Sequence, residues 1–317
     1  MSVATRGVLA ILKAALNDVP EIAAINNQAF RFQTDTVGGE IDTLTWLGNV
    51  PGFQEKGNKV LQAGKPLPKK LDIRLREFTA SWQLAAKYVR NSKVGPILTV
   101  KAAEWGRRRV DLADQLVCDL LNNGASLLAY DGIAFWSDSH SDGRSGTIDN
   151  NITFDCSDHT NPTALEIAKA IAKGIETFWG FKDDQGLPTH ARMVEVDVVV
   201  PVGIAGLTLQ AVSNEKLDSG AGDVTNPLSG FRNTIGLKLN VRTSPLITLA
   251  TTKIALVNRS PGAMPFLLGE NPAEKRVTEL DESSDLFKRE DLYEYNAFWT
   301  GAASVGEFRD SVLITLN

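Results

Sequence analysis

The segment DGIAFWSDSHSDGRSG, residues 131–146, gathers side chains that could ligate a metal ion. Asp138, His140 and Asp142 alternate inside it, and Asp155, Cys156, Asp158 and His159 follow within twenty residues, so hard and borderline ligands are concentrated in one region. A metal-dependent hydrolase would use Asp138, His140, Asp142 and His159. The surroundings argue for a plainer role. A metal centre needs ligands on a rigid element with supporting hydrogen bonds, whereas these residues sit among Ser, Gly and Asn. Asp and Ser in such company ordinarily close turns on their own backbone. The segment is therefore expected to be a turn-rich loop with Phe135 and Trp136 buried, His140 hydrogen-bonded within a turn, and no metal or other cofactor.

Other catalytic signatures are missing. There is no phosphate loop ending in Gly-Lys-Ser/Thr, no nucleophile elbow, no HExxH and no Gly-rich turn between strand and helix. His190, in GLPTHARM, has no titratable partner close by in sequence and reads as a loop or edge histidine rather than a general base. No enzymatic activity is expected. Cys118 and Cys156 are too few for a disulfide framework or a Cys-rich zinc site, which makes a reducing cytosol the default compartment.

The elements that must position these residues follow from patterning. At 317 residues the chain exceeds what a single core usually supports, so two lobes are expected. Its 43% hydrophobic and 22% charged residues are those of an ordinary globular protein, and no apolar run is long enough to span a bilayer. The N-terminal stretch MSVATRGVLAILKAALNDVPEIAAI is interrupted by Lys13 and reads as a short amphipathic helix, not a signal. In KKLDIRLREFTASW, Leu71, Ile73 and Leu75, then Phe78 and Trp82, alternate with charges as in a two-stranded ribbon with one covered face. So polar an arm is not expected to fold alone.

Residues 95–124 read as one long helix: Pro96 sits in the first turn, Leu98, Ala102, Trp105, Leu112, Leu116 and Leu120 recur at helical spacing, and Asn123-Gly124 ends it. PTALEIAKAIAKGIETFWGFKD reads as a second amphipathic helix, MVEVDVVVPV as a buried strand and GIAGLTLQAVSN as a helix. NPLSGFRNTIGLKLNVRTSPLI and TKIALVNRSPGAMPFLLGENP read as further strands, and the last residues as two more.

The order of these parts resembles a known family. WLGNVPGF (46–53), a basic ribbon, a long helix ending DLLNNG and LLAYDGIAFWSDSH (127–140) resemble the major head subunit of Mu-like tailed phages. In that family a Tyr-Asp-Gly, two aromatics and an Asp-x-His come in this order, here Tyr130, Asp131, Gly132, Phe135, Trp136, Asp138 and His140. VDVVVPVGI, NPLSGFRNTI and YEYNAFWTGAASVGEFRD also resemble its pattern, so the likeness covers nearly the whole chain. One departure is Ser141 and an Asp/Gly-rich run through Asn151, where the family has a Pro after the histidine.

The resemblance implies an α+β protein with the tailed-phage major capsid fold. Its expected parts are an N-terminal arm (1–44), an extended two-stranded loop (45–95), a peripheral domain with a long spine helix (96–160), an axial α/β domain (161–272) and a C-terminal return to the peripheral domain (273–317). It implies a structural subunit that forms pentamers and hexamers of an icosahedral head around double-stranded DNA, assembled in the host bacterial cytoplasm. Portal, scaffold and possible decoration proteins are the expected partners, with no membrane. The net charge of −5 fits weak, non-specific contact with the packaged DNA, since a shell must not hold its genome tightly. A cargo-enclosing nanocompartment could use the same fold.

Contacts between subunits can be assigned in advance. Trp46 and Phe53 would pin the ribbon's base. Lys69, Lys70, Arg74 and Arg76 contribute to the ribbon's basic excess, and Glu279, Asp281, Glu282 and Asp285 form an acidic cluster that it could meet on a neighbour.

Overall fold

The computed structural model describes residues 29–46, 69–89, 95–280 and 282–317. The amphipathic helix expected near the N-terminus, the ribbon tip with Phe53, and Asp281 lie outside the described residues. In chain order the first strands are β1 (Ala29–Gln33), β2 (Ile41–Trp46), β3 (Lys69–Arg74) and β4 (Arg76–Ala85). Two helices follow, the one-turn α1 (Ala86–Val89) and the spine helix α2 (Gly95–Asn123). Then come β5 (His140–Ser141), β6 (Thr147–Ile148), β7 (Asn151–Phe154), α3 (Ala164–Gly180), β8 (Glu195–Val200) and α4 (Val202–Ser213). A hairpin, β9 (Lys216–Asp218) and β10 (Asp223–Thr225), precedes α5 (Leu228–Asn233), β11 (Lys238–Thr243), β12 (Lys253–Asn258) and β13 (Phe266–Glu270). The chain closes with β14 (Arg276–Leu280), α6 (Asp285–Glu290), β15 (Leu292–Val305) and β16 (Ser311–Leu316).

Two sheets organise the molecule. The first is mixed, in the order β11-β8-β12-β16-β7. Its strands β8, β12 and β16 are mostly apolar and buried almost throughout, as strands covered on both faces must be, with buried Asp197 of β8 bonded to Asn240 and Arg242 of β11. α3 supplies cover along a stripe of Ile167, Ala168, Ile171, Ile175 and Phe178, and its start is fixed by a capping box between Thr163 and Glu166. The second sheet is built around the long β15, which pairs with β13 and β14 along one edge and with β4 along the other. β1 adds to β13 in parallel. The spine helix contributes Leu116, Val117, Leu120 and Leu121 to a core cluster shared with the first sheet, so the two lobes are not packed independently.

Three expectations are corrected. Residues 273–317, expected as one C-terminal unit, are divided between the two sheets: β14 and β15 are in the second, whereas β16 runs between β12 and β7 in the first, because an apolar run of this kind is covered only at a central position. NPLSGFRN forms the short helix α5, with strand structure resuming at Lys238. Phe78 and Trp82 are not in the ribbon. Arg76–Ala85 is a separate strand pairing with β15, and the ribbon consists of β2 and β3 in antiparallel register from Ile41↔Arg74 to Trp46↔Lys69. The ribbon base is also covered by its own chain: Leu71 and Ile73 pack with Leu267 and Ala302. Among the described residues no helix is long and apolar enough to cross a membrane.

Candidate functional site

The stretch after the spine helix is built for close packing. Gly124 ends the helix where a Cβ would collide with the Trp136 indole, whose Nε1 donates to the Leu121 carbonyl at 3.2 Å. Gly132 has φ of 81°, the conformation that a tight Tyr-Asp-Gly turn requires, and Asp131 Oδ1 accepts from the Ile133 amide. Phe135 and Trp136 are buried and meet edge to face.

His140 is fully buried. Its Nδ1 lies 2.7 Å from Asp131 Oδ2, its Nε2 lies 3.2 Å from the Phe135 carbonyl oxygen, and its ring stacks on Phe308 with centroids 3.9 Å apart. Both ring nitrogens therefore face protein oxygens. Asp138 and His159 are exposed, and Asp142 turns to Lys69 and Arg309. The candidate ligands are thus not brought together, and among the described residues no group of three or more His, Cys, Asp or Glu side chains could hold a metal ion. The Asp/Gly-rich run in place of the family's proline forms the β5–β6 hairpin, docked through the Arg144 amide onto the Asp184 carbonyl.

What the structure does assemble is a buried polar cluster around Arg309. Its Nη1 donates to Tyr130 Oη at 2.8 Å and to Glu307 Oε1 at 2.9 Å, its Nη2 to Asp142 Oδ2 at 3.1 Å, and its Nε to the Lys182 carbonyl at 3.1 Å. The Tyr130 hydroxyl reaches Glu307, and Lys69 Nζ reaches Asp142 Oδ1 at 2.8 Å while lying 4.9 Å from the centroid of the Tyr130 ring. Burial raises the Arg309 environment's cost for charge, yet Glu307, Tyr130 and Asp142 more than offset it and hold its pKa above the ordinary value. Burial also pushes Glu307 and Tyr130 upward. For Asp142, burial is outweighed by the hydrogen bonds from Lys69 and Arg309, so its pKa is lowered.

A second buried group adjoins it. Asp310 accepts from the Met264 amide at 2.8 Å and from Asn258 Nδ2 at 3.0 Å, and burial raises its pKa to about 6. His190 donates from Nε2 to the Arg309 carbonyl at 2.9 Å, and burial lowers its pKa to about 4. His190 lies in a loop, as read from sequence, and is buried there. The burial of Glu307, Arg309 and Asp310 in one polar cluster was missed in the sequence, although three charges in VGEFRDSV between apolar strands were a usable signal.

The candidate contact residues divide. Lys70, Arg74 and Arg76 are exposed, as the strand alternation opposite buried Leu71, Ile73 and Leu75 requires. Lys69 is engaged within its own chain. Trp46 ends β2. Glu279 stands opposite Tyr295, whose hydroxyl pKa is raised by burial and then by Glu279, and Glu282 accepts from the Tyr293 hydroxyl at 2.7 Å. Asp285 lies exposed in the first turn of α6.

Residues 36–162 match the family described as Mu-like prophage major head subunit gpT. No curated protein sequence matches. Solved structures match over nearly the whole chain. The procapsid of bacteriophage JBD30 aligns with TM-score 0.53 and 14% identity, over 99% of this chain and 76% of that one. The capsid of cyanophage P-SCSP1u aligns with TM-score 0.55 and 9% identity, over 92% of this chain and 86% of that one. A virus-like particle from Pyrococcus furiosus aligns with TM-score 0.51 and 8% identity, over 98% of both chains. The fold of tailed-phage capsid proteins thus spans nearly the entire chain, and the part that holds the ribbon, the spine helix and the Tyr130–His140 segment is similar to the Mu-like major head subunit family.

Proposed function

We propose that copies of this chain close into pentamers and hexamers of a phage head around double-stranded DNA, with the exposed face of the ribbon as the element that reaches a neighbouring subunit. The observation that carries this reading is the ribbon itself. Leu71 and Ile73 secure its base to the sheet, while Lys70, Arg74 and Arg76 face solvent beside it. The proposed counterpart is the edge around Asp285 and Glu282, with register set by charge. The parts keep the names arm, extended loop, peripheral domain and axial domain, with residues 311–316 counted in the axial sheet. Portal and scaffold proteins complete the assembly, in the cytoplasm of the host.

The test is direct. The purified chain, alone and with a scaffold protein from the same genome, is followed by light scattering and electron microscopy at increasing concentration. Rings, tubes or closed shells are expected, and a monomer that persists at high concentration under every condition rejects the reading. A second reading, a cargo-enclosing compartment, is favoured by the end-to-end alignment with the Pyrococcus virus-like particle. Particle contents separate the two: DNA in one, a protein cargo in the other.

A further inference from the structure

The ribbon is attached to the body at two points of different chemistry. Near its base, Leu71 and Ile73 pack on Leu267 and Ala302. At the outer end of the paired section, where Trp46 faces Lys69 in register, Lys69 Nζ meets Asp142 Oδ1 at 2.8 Å. Lys69, Leu71 and Ile73 alternate along β3 and so share one face. One point of attachment would leave a two-stranded ribbon free to swing, whereas two points along its length define a direction.

The ionic point is unlike an ordinary surface pair. Asp142 is only 15% exposed and Lys69 29%, and the second carboxylate oxygen of Asp142 is held by Arg309, itself 3% exposed. Arg309 in turn is fixed by Glu307, Tyr130 and the Lys182 carbonyl. Asp142 is therefore presented to Lys69 by a group that cannot move without breaking buried hydrogen bonds. Such preorganisation removes much of the side-chain entropy that makes exposed ion pairs weak.

We propose that Lys69 is a positioning residue: through Asp142 and Arg309 it aims the ribbon, so that the exposed basic face arrives at a neighbour in one direction. This rests on the shell reading, and the experiment separates the two. Lys69→Met and Lys69→Arg are compared with the wild type by hydrogen exchange of the ribbon strands in unassembled protein, by thermal melting and by electron microscopy of assembly products. In Lys69→Met the amides of 69–74 are expected to exchange about fivefold faster while the melting temperature is retained. Its assembly products should be irregular, and Lys69→Arg should restore both exchange and particle shape. Unchanged exchange in Lys69→Met overturns the proposal whatever the particles look like, and so do normal particles formed despite faster exchange. A wild type that forms no particles counts against the shell reading, and the exchange comparison then still decides whether Lys69 holds the ribbon.

Discussion

The α/β sheet and the ribbon are both made of strands, yet they resolve their burial in opposite ways. In β12 and β16 five of six residues are buried in each strand, and α3 lies against them. In β3 only Leu71 and Ile73 are buried, and the intervening side chains stand in solvent. The sheet satisfies its apolar surface inside one chain. The ribbon satisfies only one face, and its other face is available to a second molecule. The stabilising core and the proposed assembly contact therefore lie in different regions, and variants in the two should fail differently.

The largest loss is expected in the sheet. Leu256 is fully buried in β12, so Leu256→Ala should cost about 2–5 kcal/mol, read by urea denaturation of the monomer. A loss below ~1 kcal/mol would mean that the sheet is not the stabilising region.

Next comes the buried pair beside it. Asp310 has its pKa raised to about 6 from an ordinary 3.8, so the folded chain binds that proton more firmly than the unfolded one and gains stability as pH falls through 6. His190, lowered to about 4 from 6.5, has the opposite sign and costs stability as pH falls from 6.5 towards 4. Asp310→Asn removes the first contribution and leaves the second. Its melting temperature should therefore fall more steeply than the wild type's between pH 6.5 and 4, with a relative loss on the order of 3 kcal/mol at the acid end. Parallel pH profiles would show that Asp310 is not titrating as its burial requires.

The spine helix gives a smaller effect. Leu112 is only partly buried against the core, beside fully covered Val117 and Leu121, so Leu112→Ala should cost about 1–2 kcal/mol rather than the 2–5 expected for a core leucine. A cost as large as that of Leu256→Ala would move Leu112 into the core.

The smallest effect on the monomer should come from the ribbon's outer face. Lys70→Glu combined with Arg74→Glu changes exposed side chains and should alter monomer stability by less than about 0.5 kcal/mol. Assembly, measured by light scattering across a salt series, should be impaired, because a shell repeats each weak contact many times. Normal assembly at every ionic strength would move the neighbour's contact to a different surface.

Much of the architecture was legible in the chain. The spine helix was readable because Pro96 and Asn123-Gly124 bracket a periodic stretch, and the helix spans Gly95–Asn123. Val196–Val200 was readable as a buried strand by its run of valines, broken only by Asp197. The candidate site was less legible. Asp138, His140 and Asp142 share a short segment, but their side chains go to solvent, to Asp131 and Phe135, and to Lys69 with Arg309. Spacing along an irregular loop carries no information about direction, unlike the fixed periods of a helix or strand.

The sequence by itself determined local conformation: where helices start and stop, which strands are mostly apolar, and that the ribbon has one apolar face. These are decided within a few residues, by capping groups, by glycine and by side-chain periodicity. Only the tertiary structure decided that β16 enters the α/β sheet, that β4 leaves the ribbon to pair with β15, and that Lys69 pairs with Asp142 instead of being left for a neighbour. The physical reason is distance along the chain. Residues 69, 142 and 309 meet because the packing of two sheets brings them together, and the ion pairs hold there because Arg309 is buried among groups that no local pattern connects.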